Sequence, residues 1–242
     1  KTKAAEIVLE GLKLLEYRGY DSWGIAAKIK DHPFGKLKTK IKNSFEIEKH
    51  VGKIGNSHFN FQLSTLNSQL AIGHTRWATH GGVTVANAHP HTDCNKQIAV
   101  VHNGIVENFE VLKTELIKKK HKFLSETDTE IIPHLIEENL KHEGFSSSVR
   151  DAFNQLRGLN AIVVANAVSK EIVVAKNGSP LIVGIGQNEF LVASDASAIV
   201  KHTKKVIFLE DNQMAILGDR LKLINLPKGE EIKPKSHVLD WT

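Results

Sequence analysis

The stretch His74-Thr-Arg-Trp-Ala-Thr-His-Gly-Gly82 follows a short apolar run and gathers a guanidinium, an indole, hydroxyls and two imidazoles beside paired glycines. A buried strand does not carry so many hydrogen-bonding groups without partners, and a solvated loop rarely needs a tryptophan. Arginine presents a fixed fork to a carboxylate, and glycine lets the backbone approach a ligand closely. We therefore expect a strand that ends here and runs into a loop gripping a small anionic ligand.

The segments around this stretch predict a mixture of helices and strands. The expected helices are Lys3–Glu16, Phe45–Ile54, Glu107–Lys120, Thr127–His142, Ser146–Arg157 and a short one at Ala196–Lys201. The expected strands are Trp23–Ile29, Leu37–Lys42, Leu70–His74, Gln97–Val101, Ala161–Val168, Glu171–Ala175, Leu181–Ile185, Phe190–Ala193, Val206–Leu209, Met214–Leu217 and Leu221–Ile224. This order favours an α+β layered sandwich. A doubly wound sheet is disfavoured because the C-terminal half lacks crossover helices.

Two local features leave the boundaries of elements open. Pro133 falls inside the predicted helix Thr127–His142, so that helix either kinks or begins later than its apparent cap at Thr127. The polar segment from Pro227 onward contains two prolines and a glycine and is interpreted as the start of a linker. Asn56–Ser68 and Gly81–Cys94 are expected to be loops.

The composition bounds the class of protein. The net charge of +5 is spread along the chain, aromatic residues make up 6%, and no nucleic-acid-binding module is legible, so we expect no nucleic-acid partner. The single cysteine precludes an internal disulfide and fits a reducing compartment. No apolar run approaches membrane-spanning length and no signal peptide is apparent, which predicts a cytoplasmic protein without a membrane partner.

Four polar clusters stand at the ends of predicted elements: Arg18–Ser22, Arg76–His80, His102–Gly104 and Glu126–Asp128. Their chemistry is complementary, since a guanidinium suits a carboxylate and a carboxylate suits an ammonium group. The amide of Asn103 and a backbone N–H could donate to a developing oxyanion. Together they describe a pocket for a free α-amino acid whose side-chain carbonyl is attacked, although the spacing alone does not force this interpretation.

The usual nucleophiles and metal signatures are missing from the sequence. Cys94 lies in a polar turn and is interpreted as an exposed thiol rather than a catalytic one, and no Gly-x-Ser-x-Gly elbow occurs. Several histidines invite a metal interpretation, but their spacings match no zinc signature; these are His74, His80, His89, His91 and His102. We predict no metal site and no cofactor, and expect several of these imidazoles to hold loops through backbone hydrogen bonds.

Five motifs occur in order and are highly specific when taken together. They are Glu16-Tyr-Arg-Gly-Tyr-Asp-Ser22, His74-Thr-Arg-Trp-Ala-Thr-His-Gly81, Asn87-Ala-His-Pro-His91, Val101-His-Asn-Gly104 and Ser125-Glu-Thr-Asp-Thr-Glu130. With them the chain resembles, over essentially its whole length, the N-terminal glutaminase domain of the glucosamine-6-phosphate synthases. These enzymes, the isomerizing glutamine–fructose-6-phosphate aminotransferases, are class II glutamine amidotransferases. Sister amidotransferases such as the phosphoribosylpyrophosphate enzyme resemble the first two motifs less well.

The resemblance implies a four-layer α/β/β/α sandwich of the N-terminal-nucleophile hydrolase type, which as given lacks its first strand. It implies a glutaminase domain over residues 1–226, the start of an interdomain linker over 227–242, and a sugar-phosphate isomerase domain that is absent. The nucleophile would be an N-terminal cysteine whose own α-amine acts as base. Since that cysteine is not among these residues, the chain as given is expected to be inactive.

The resemblance also implies which residues bind glutamine. Arg76 would bind the α-carboxylate, helped by Thr79 and His80. Asp128 would bind the α-ammonium group, together with the carbonyl of Gly104. The released ammonia would pass to the isomerase domain and to fructose 6-phosphate, in a full-length protein that is expected to be a homodimer.

Further positions take catalytic or positioning roles by the same resemblance. Asn103 and Gly104 would form the oxyanion hole, Arg18 would position the N-terminal cysteine, and Trp77 would lie in a loop that closes over glutamine. Trp23 departs from the family, which usually has a small residue before the glycine. We expect its ring to need space near Arg18, where the first strand would pack.

Two alternatives remain open from the sequence. One is the glutaminase domain of another class II amidotransferase, which a different acceptor domain would distinguish. The other is a non-catalytic glutamine-binding module, which the missing nucleophile allows.

Overall fold

The computed structural model describes residues 3–29, 43–56, 68–79 and 81–240. Within them lie the helices α1 (Ala4–Leu15), α2 (Phe109–Lys118), α3 (Ile131–Asn139) and α4 (Phe145–Gln155). The strands are β1 (Ser22–Ile29), β2 (Glu46–Val51), β3 (Ser68–Arg76), β4 (His91–Thr92), β5 (Ile98–Gly104), β6 (Asn160–Asn166), β7 (Ile172–Lys176), β8 (Ile182–Ile185), β9 (Phe190–Ala193), β10 (Lys205–Phe208), β11 (Gln213–Leu217), β12 (Leu221–Asn225), β13 (Glu230–Ile232) and β14 (His237–Val238).

The strands form three antiparallel sheets among the described residues. The largest has seven strands in the order β13-β12-β11-β7-β6-β5-β4. A three-stranded sheet has the order β2-β1-β3, and a four-stranded sheet has the order β14-β10-β8-β9. Among the strands that the structure describes, β3 and β9 are therefore edges of the two smaller sheets.

The alternation of side chains along the strands decides how these sheets stack. In β5, Ile98 and Val100 pack with helices α2, α3 and α4, whereas Ala99 and Val101 pack against the three-stranded sheet. Val174 of β7 likewise faces the four-stranded sheet. Because successive side chains point to opposite faces, the seven-stranded sheet lies between a helix layer and the two smaller sheets.

The fourth layer is the N-terminal helix α1. Its apolar face, which includes Ala5 and Leu12, packs on the outer face of the three-stranded sheet. Trp23 is buried in the same cluster, and its ring stacks on His50 with centroids 4.6 Å apart. The indole thus occupies the outer layer beneath α1.

The structure corrects the helix predicted at Phe45–Ile54 and settles where the helix that contains Pro133 begins. The segment Phe45–Ile54, predicted as a helix, contains the strand β2, because its backbone pairs with β1 and completes the sheet. Tertiary pairing here overrides local preference. The helix expected from Thr127 begins instead at Ile131, after a 3-10 turn at Asp128–Glu130. Pro133 consequently lies in the first turn of α3, where its missing N–H costs nothing.

Other expectations lie outside the described residues or stay predictions. The predicted strand Leu37–Lys42 and most of the loop Asn56–Ser68 fall outside the described residues. In the segment taken as the start of a linker, β13 pairs with β12 and β14 pairs with β10, and the boundary at Pro227 stays a prediction. Across the described ranges, every helix is too short or too polar to cross a bilayer.

Candidate active site

The alternation of side chains along β3 and β5 places predicted site residues in the space between the sheets. Leu70 and Ile72 of β3 point to the inner layer, so His74 and Arg76, which follow at two-residue spacing, point the same way. In β5 the inner residues are Ala99 and Val101, so Asn103 continues that inner row. Both strands therefore deliver polar side chains to one end of the same layer.

A cleft of about 680 Å³ lies at this position, bounded by the β3 and β9 edges and reaching to α1. Seven of the eight predicted site residues line it, namely Arg18, Arg76, Trp77, Thr79, Asn103, Gly104 and Asp128. The eighth, His80, lies outside the described residues. Cys94, the only cysteine of the chain, does not line the cleft.

Arg76 is buried at the end of β3 and anchors the glycine pair that follows it. Its two terminal nitrogens donate to the carbonyl oxygens of Gly81 and Gly82, each at 3.3 Å. Burial lowers the pKa of the Arg76 guanidinium, and the nearby carboxylates of Asp21 and Asp128 oppose that shift. The guanidinium is thus a largely buried cation on the wall of the cleft, where a carboxylate is attracted more strongly than in bulk water.

Asp128 begins the 3-10 turn before α3 and is buried. Its Oδ2 accepts a hydrogen bond from the backbone N–H of Val106 at 2.7 Å. This bond ties the turn to the segment that follows β5 and orients the carboxylate. A fixed carboxylate thereby shares the cleft with the Arg76 cation.

Asn103 is oriented by a histidine that sequence reasoning did not assign. Nε2 of His74 lies 2.8 Å from Oδ1 of Asn103. Since Oδ1 only accepts, the His74 ring must donate from Nε2. The Asn103 NH₂ group then points away from His74 as a donor. The signal for this pairing is absent from the sequence, because the two residues lie on different strands.

Gly104 ends β5 with a backbone φ of +138°. A Cβ at this position would lie 2.2 Å from the carbonyl oxygen of Leu159. Only glycine therefore fits, which explains why the Asn-Gly pair closes the strand. The arrangement brings the Gly104 backbone into the wall of the cleft.

The loop after Arg76 is held over the cleft by several polar contacts. The Asp21 carboxylate accepts from the backbone N–H of Ala78 at 2.9 Å. Asn87 donates to the carbonyl of Gly82 at 3.0 Å and accepts from the backbone N–H of Glu126 at 3.0 Å. The Trp77 ring is 61% exposed and lies 5.8 Å from the ring of Tyr20. The loop is thus held by hydrogen bonds at Ala78 and at Gly82, while the indole of Trp77 is exposed.

Arg18 lies across the cleft and pairs with Asp195, whose Oδ2 is 3.6 Å from an Arg18 terminal nitrogen. Sequence reasoning missed Asp195, because it follows β9 far along the chain. The pair links the turn after α1 to the end of β9. It holds a cation beside the gap between the β3 and β9 edges.

Buried histidines support the site through side-chain partners. His91 Nε2 lies 3.0 Å from the Thr127 hydroxyl. In His102, Nδ1 lies 2.9 Å from the Thr129 hydroxyl and Nε2 lies 2.9 Å from the side-chain oxygen of Asn160. We expected several of the five histidines to hold loops through backbone hydrogen bonds, and for His91 and His102 the partners are side chains. Side chains from neighbouring segments satisfy them instead.

Because several buried histidines have lowered pKa values, we expect acid to destabilise the fold. Burial lowers the pKa of His74 to about 4, and lowers the pKa of His89 and His91 well below their ordinary value. The unfolded chain, in which histidine titrates near 6.5, therefore binds more protons below that pH. We expect the free energy of unfolding to fall from about pH 6.5 downward, by up to about 1.4 kcal/mol per pH unit for each histidine.

Urea denaturation at a series of pH values between about 7.5 and 5 measures this slope. Replacing the exposed His142 by glutamine is a matched control and should leave the slope unchanged. A free energy of unfolding that is constant or rises toward pH 5 would contradict the prediction.

Sequence and structure comparisons place the chain in a family. Residues 74–201, more than half of the chain, match the glutamine amidotransferase domain. The chain belongs to the glutamine amidotransferase family. Relatives of this amidotransferase domain include two proteins named glutamine–fructose-6-phosphate aminotransferase (isomerizing). The protein from Thermococcus kodakarensis is 43% identical over 99% of this chain, and that from Pyrococcus horikoshii is 44% identical over 99%.

The amidotransferase domain spans 38% and 39% of the length of these two relatives. Among solved structures, the glutamine phosphoribosylpyrophosphate amidotransferase of B. subtilis superposes with a TM-score of 0.70. It is 27% identical, and the match covers 98% of this chain and 47% of that one. The fold is the α/β/β/α sandwich of the N-terminal-nucleophile hydrolases, which confirms the fold class predicted from the sequence.

Proposed function

We propose that this chain is the glutamine-hydrolysing part of a glutamine–fructose-6-phosphate aminotransferase. The observation that carries the proposal is the cleft in which a buried guanidinium, a buried carboxylate and an oriented amide meet; these belong to Arg76, Asp128 and Asn103. The identity of 43–44% to relatives of that name supports the choice within the family.

Glutamine would be held by its two charged ends. Arg76, helped by Thr79 and His80, binds the α-carboxylate, and Asp128 with the carbonyl of Gly104 binds the α-ammonium group. Oppositely charged partners fixed in a buried site leave the ligand few orientations. The side-chain amide would then lie beside Asn103, whose NH₂ group is kept available by the contact between His74 and the amide oxygen.

Hydrolysis would proceed through attack of a thiolate on the side-chain carbonyl carbon of glutamine. The C–S bond forms as the carbonyl electrons move to oxygen, and the oxyanion is stabilised by Asn103 and the backbone N–H of Gly104. Collapse breaks the C–N bond and releases ammonia once the nitrogen is protonated. Water then cleaves the thioester to glutamate and restores the thiol.

The thiol would come from a cysteine at the mature N-terminus of the complete protein, as the family resemblance implies. The cleft between the β3 and β9 edges supports this, since an extended segment placed there would lie beside Arg18. Cys94 is a poor candidate because it does not line the cleft. Trp77, exposed in the loop above, would close over bound glutamine and retain ammonia.

In the complete protein, ammonia would pass to a sugar-phosphate isomerase domain that follows residues 227–242, with residues 1–226 forming the glutaminase domain. The share of the relatives' length that this chain covers leaves room for such a domain. We also infer that the complete protein is a homodimer and is cytoplasmic. The single cysteine of the chain supports a reducing compartment and does not bear on the oligomeric state. Light scattering of the complete protein would test the oligomeric state.

The test of the function is to supply the complete protein with glutamine and fructose 6-phosphate. We expect glutamate and glucosamine 6-phosphate to appear in equal amounts. Glutamate formed only with phosphoribosylpyrophosphate as acceptor would instead favour the activity named for the B. subtilis structure. Glutamine binding without glutamate release would contradict the proposal and leave a binding module.

A further inference from the structure

Four side chains that bind metals well converge on the helix side of the molecule, outside the cleft. They are Cys94, His121, His134 and Glu137, and their ligand atoms all lie within 4.8 Å of one another. None of the four lines the cleft described above. The group is therefore independent of the proposed glutaminase chemistry.

Three separate segments supply these side chains. Cys94 lies in the turn between β4 and β5, and His121 lies just after α2. His134 and Glu137 are three residues apart on α3 and so share one face of that helix. Both histidine rings are buried, whereas the cysteine is exposed at the surface. A bound ion would tie the turn and the loop to the helix.

The distances within the group fit a tetrahedral ion. Sγ of Cys94 lies 3.9 Å from Nδ1 of His121 and 3.8 Å from Nδ1 of His134. Oε2 of Glu137 lies 3.0 Å and 3.3 Å from the same two nitrogens. Ordinary zinc bond lengths place neighbouring tetrahedral ligand atoms about 3.3–3.6 Å apart. These four separations lie within about 0.6 Å of the tetrahedral values, and all ligand atoms lie within 4.8 Å of one another.

The hydrogen-bond partners of His121 are compatible with an ion between these groups. Its Nδ1 faces Glu137, while its Nε2 lies 3.1 Å from Oε2 of Glu138. With an ion at Nδ1, the Nε2–H group can donate to Glu138. Histidine ligands in zinc sites commonly donate their other N–H to a carboxylate in this way.

Outer contacts are formed around His121, whereas the buried Nε2 of His134 has no hydrogen-bond partner among the described residues. Lys119 and Lys141 pair with Glu138, which fixes the carboxylate that orients His121. The His134 ring packs edge-on against Phe123 with centroids 4.7 Å apart.

We propose that Cys94, His121, His134 and Glu137 form a structural zinc site. Two imidazoles with a thiolate suit zinc, whereas magnesium and calcium prefer oxygen ligands alone. A thiolate and a carboxylate also balance the charge of the ion. Four protein ligands leave no open position, which is typical of a structural and not a catalytic site. This departs from the prediction of no metal, which considered other histidines and took Cys94 as an isolated thiol.

Metal analysis of the complete protein tests the site directly. After purification from zinc-supplemented cells and passage over a weak chelating resin, the zinc content of each variant is compared. We expect wild-type protein and His142→Gln to hold about one more zinc ion per chain than Cys94→Ser or Glu137→Gln. The comparison between variants cancels any metal bound elsewhere. Equal zinc content in wild type and Cys94→Ser would overturn the proposal.

Cobalt provides a measurement that does not depend on variants folding. Titration of Co²⁺ into metal-free wild-type protein should produce a thiolate-to-cobalt charge-transfer band and the intense visible bands of tetrahedral cobalt. The absence of a charge-transfer band in the wild-type protein overturns the proposal whatever the variants do. A band that persists undiminished in a folded Cys94→Ser protein has the same consequence, since another thiol would then be the ligand.

Zinc should also raise the melting temperature of the protein. At a zinc concentration about a hundredfold above Kd, we expect an increase of roughly 5–10 °C in Tm for a domain of this size. Cys94→Ser should lose this increase, and the surface control His142→Gln should keep it. An equal increase in Cys94→Ser would mean that zinc stabilises the protein through other residues.

Discussion

Replacing Asn103 by alanine in the complete protein is expected to lower kcat for glutamine hydrolysis by roughly 10²–10³. The reason is that the Asn103 amide would donate to an oxyanion that exists only in the transition state. Glutamine bound in the ground state gains little from that donor, so KM should change much less than kcat. Steady-state glutamate release measures both constants.

Two further variants make this test specific. His74→Ala removes the contact that orients Asn103 but leaves the amide in place, so kcat should fall by roughly tenfold or less. Asn154→Ala, exposed on α4 and outside the cleft, should have no effect. A normal kcat in Asn103→Ala would remove that residue from the proposed oxyanion hole.

Removing the charge of Arg76 or of Asp128 should mainly raise KM for glutamine, in contrast to Asn103→Ala, which should mainly lower kcat. Arg76→Ala is expected to raise KM for glutamine by roughly 10–100-fold, because a charge-assisted hydrogen bond to the carboxylate is lost. The change in kcat should be smaller, since the α-carboxylate is bound in both ground and transition states. Glutamate release measured over a wide range of glutamine concentration determines the shift.

Asp128 needs a variant that keeps its structural contact. Its carboxylate accepts the backbone N–H of Val106, and alanine would leave that buried donor without a partner. Asp128→Asn keeps an acceptor oxygen and removes the charge, so KM should rise by roughly 10–100-fold with little loss of stability.

For Arg76→Ala, the control for loss of a cation is Arg220→Ala, because Arg220 is exposed on the surface. An unchanged KM in both Arg76→Ala and Asp128→Asn would contradict the binding assignment.

Most of the fold could be predicted because local patterns and tertiary structure agree. The apolar runs of β5 and β6 and the apolar face of α1 are visible in the sequence, and the order of such elements favours the layered sandwich. The segment Phe45–Ile54 was misassigned because its strand character comes from pairing with β1. Such pairing joins residues distant in sequence and leaves little local trace.

The candidate site was accessible from the sequence only in part. Its charged and glycine-containing motifs stand out because their chemistry is unusual for strand ends. The contacts of His74 with Asn103 and of Arg18 with Asp195 were not accessible, since each joins two distant segments. The four possible zinc ligands were missed for the same reason, as their separations match no short motif.

What the sequence determined by itself is the order and type of most elements and the residue types offered at strand ends, because periodicity and side-chain chemistry are local properties. What only the tertiary structure decided is which of those residues meet. The stacking of sheets brings Arg76, Asn103 and Asp128 to one cleft, and the packing of α3 against two loops brings Cys94 to a pair of histidines. Such meetings depend on the relative placement of elements, which long-range packing decides and no single segment encodes.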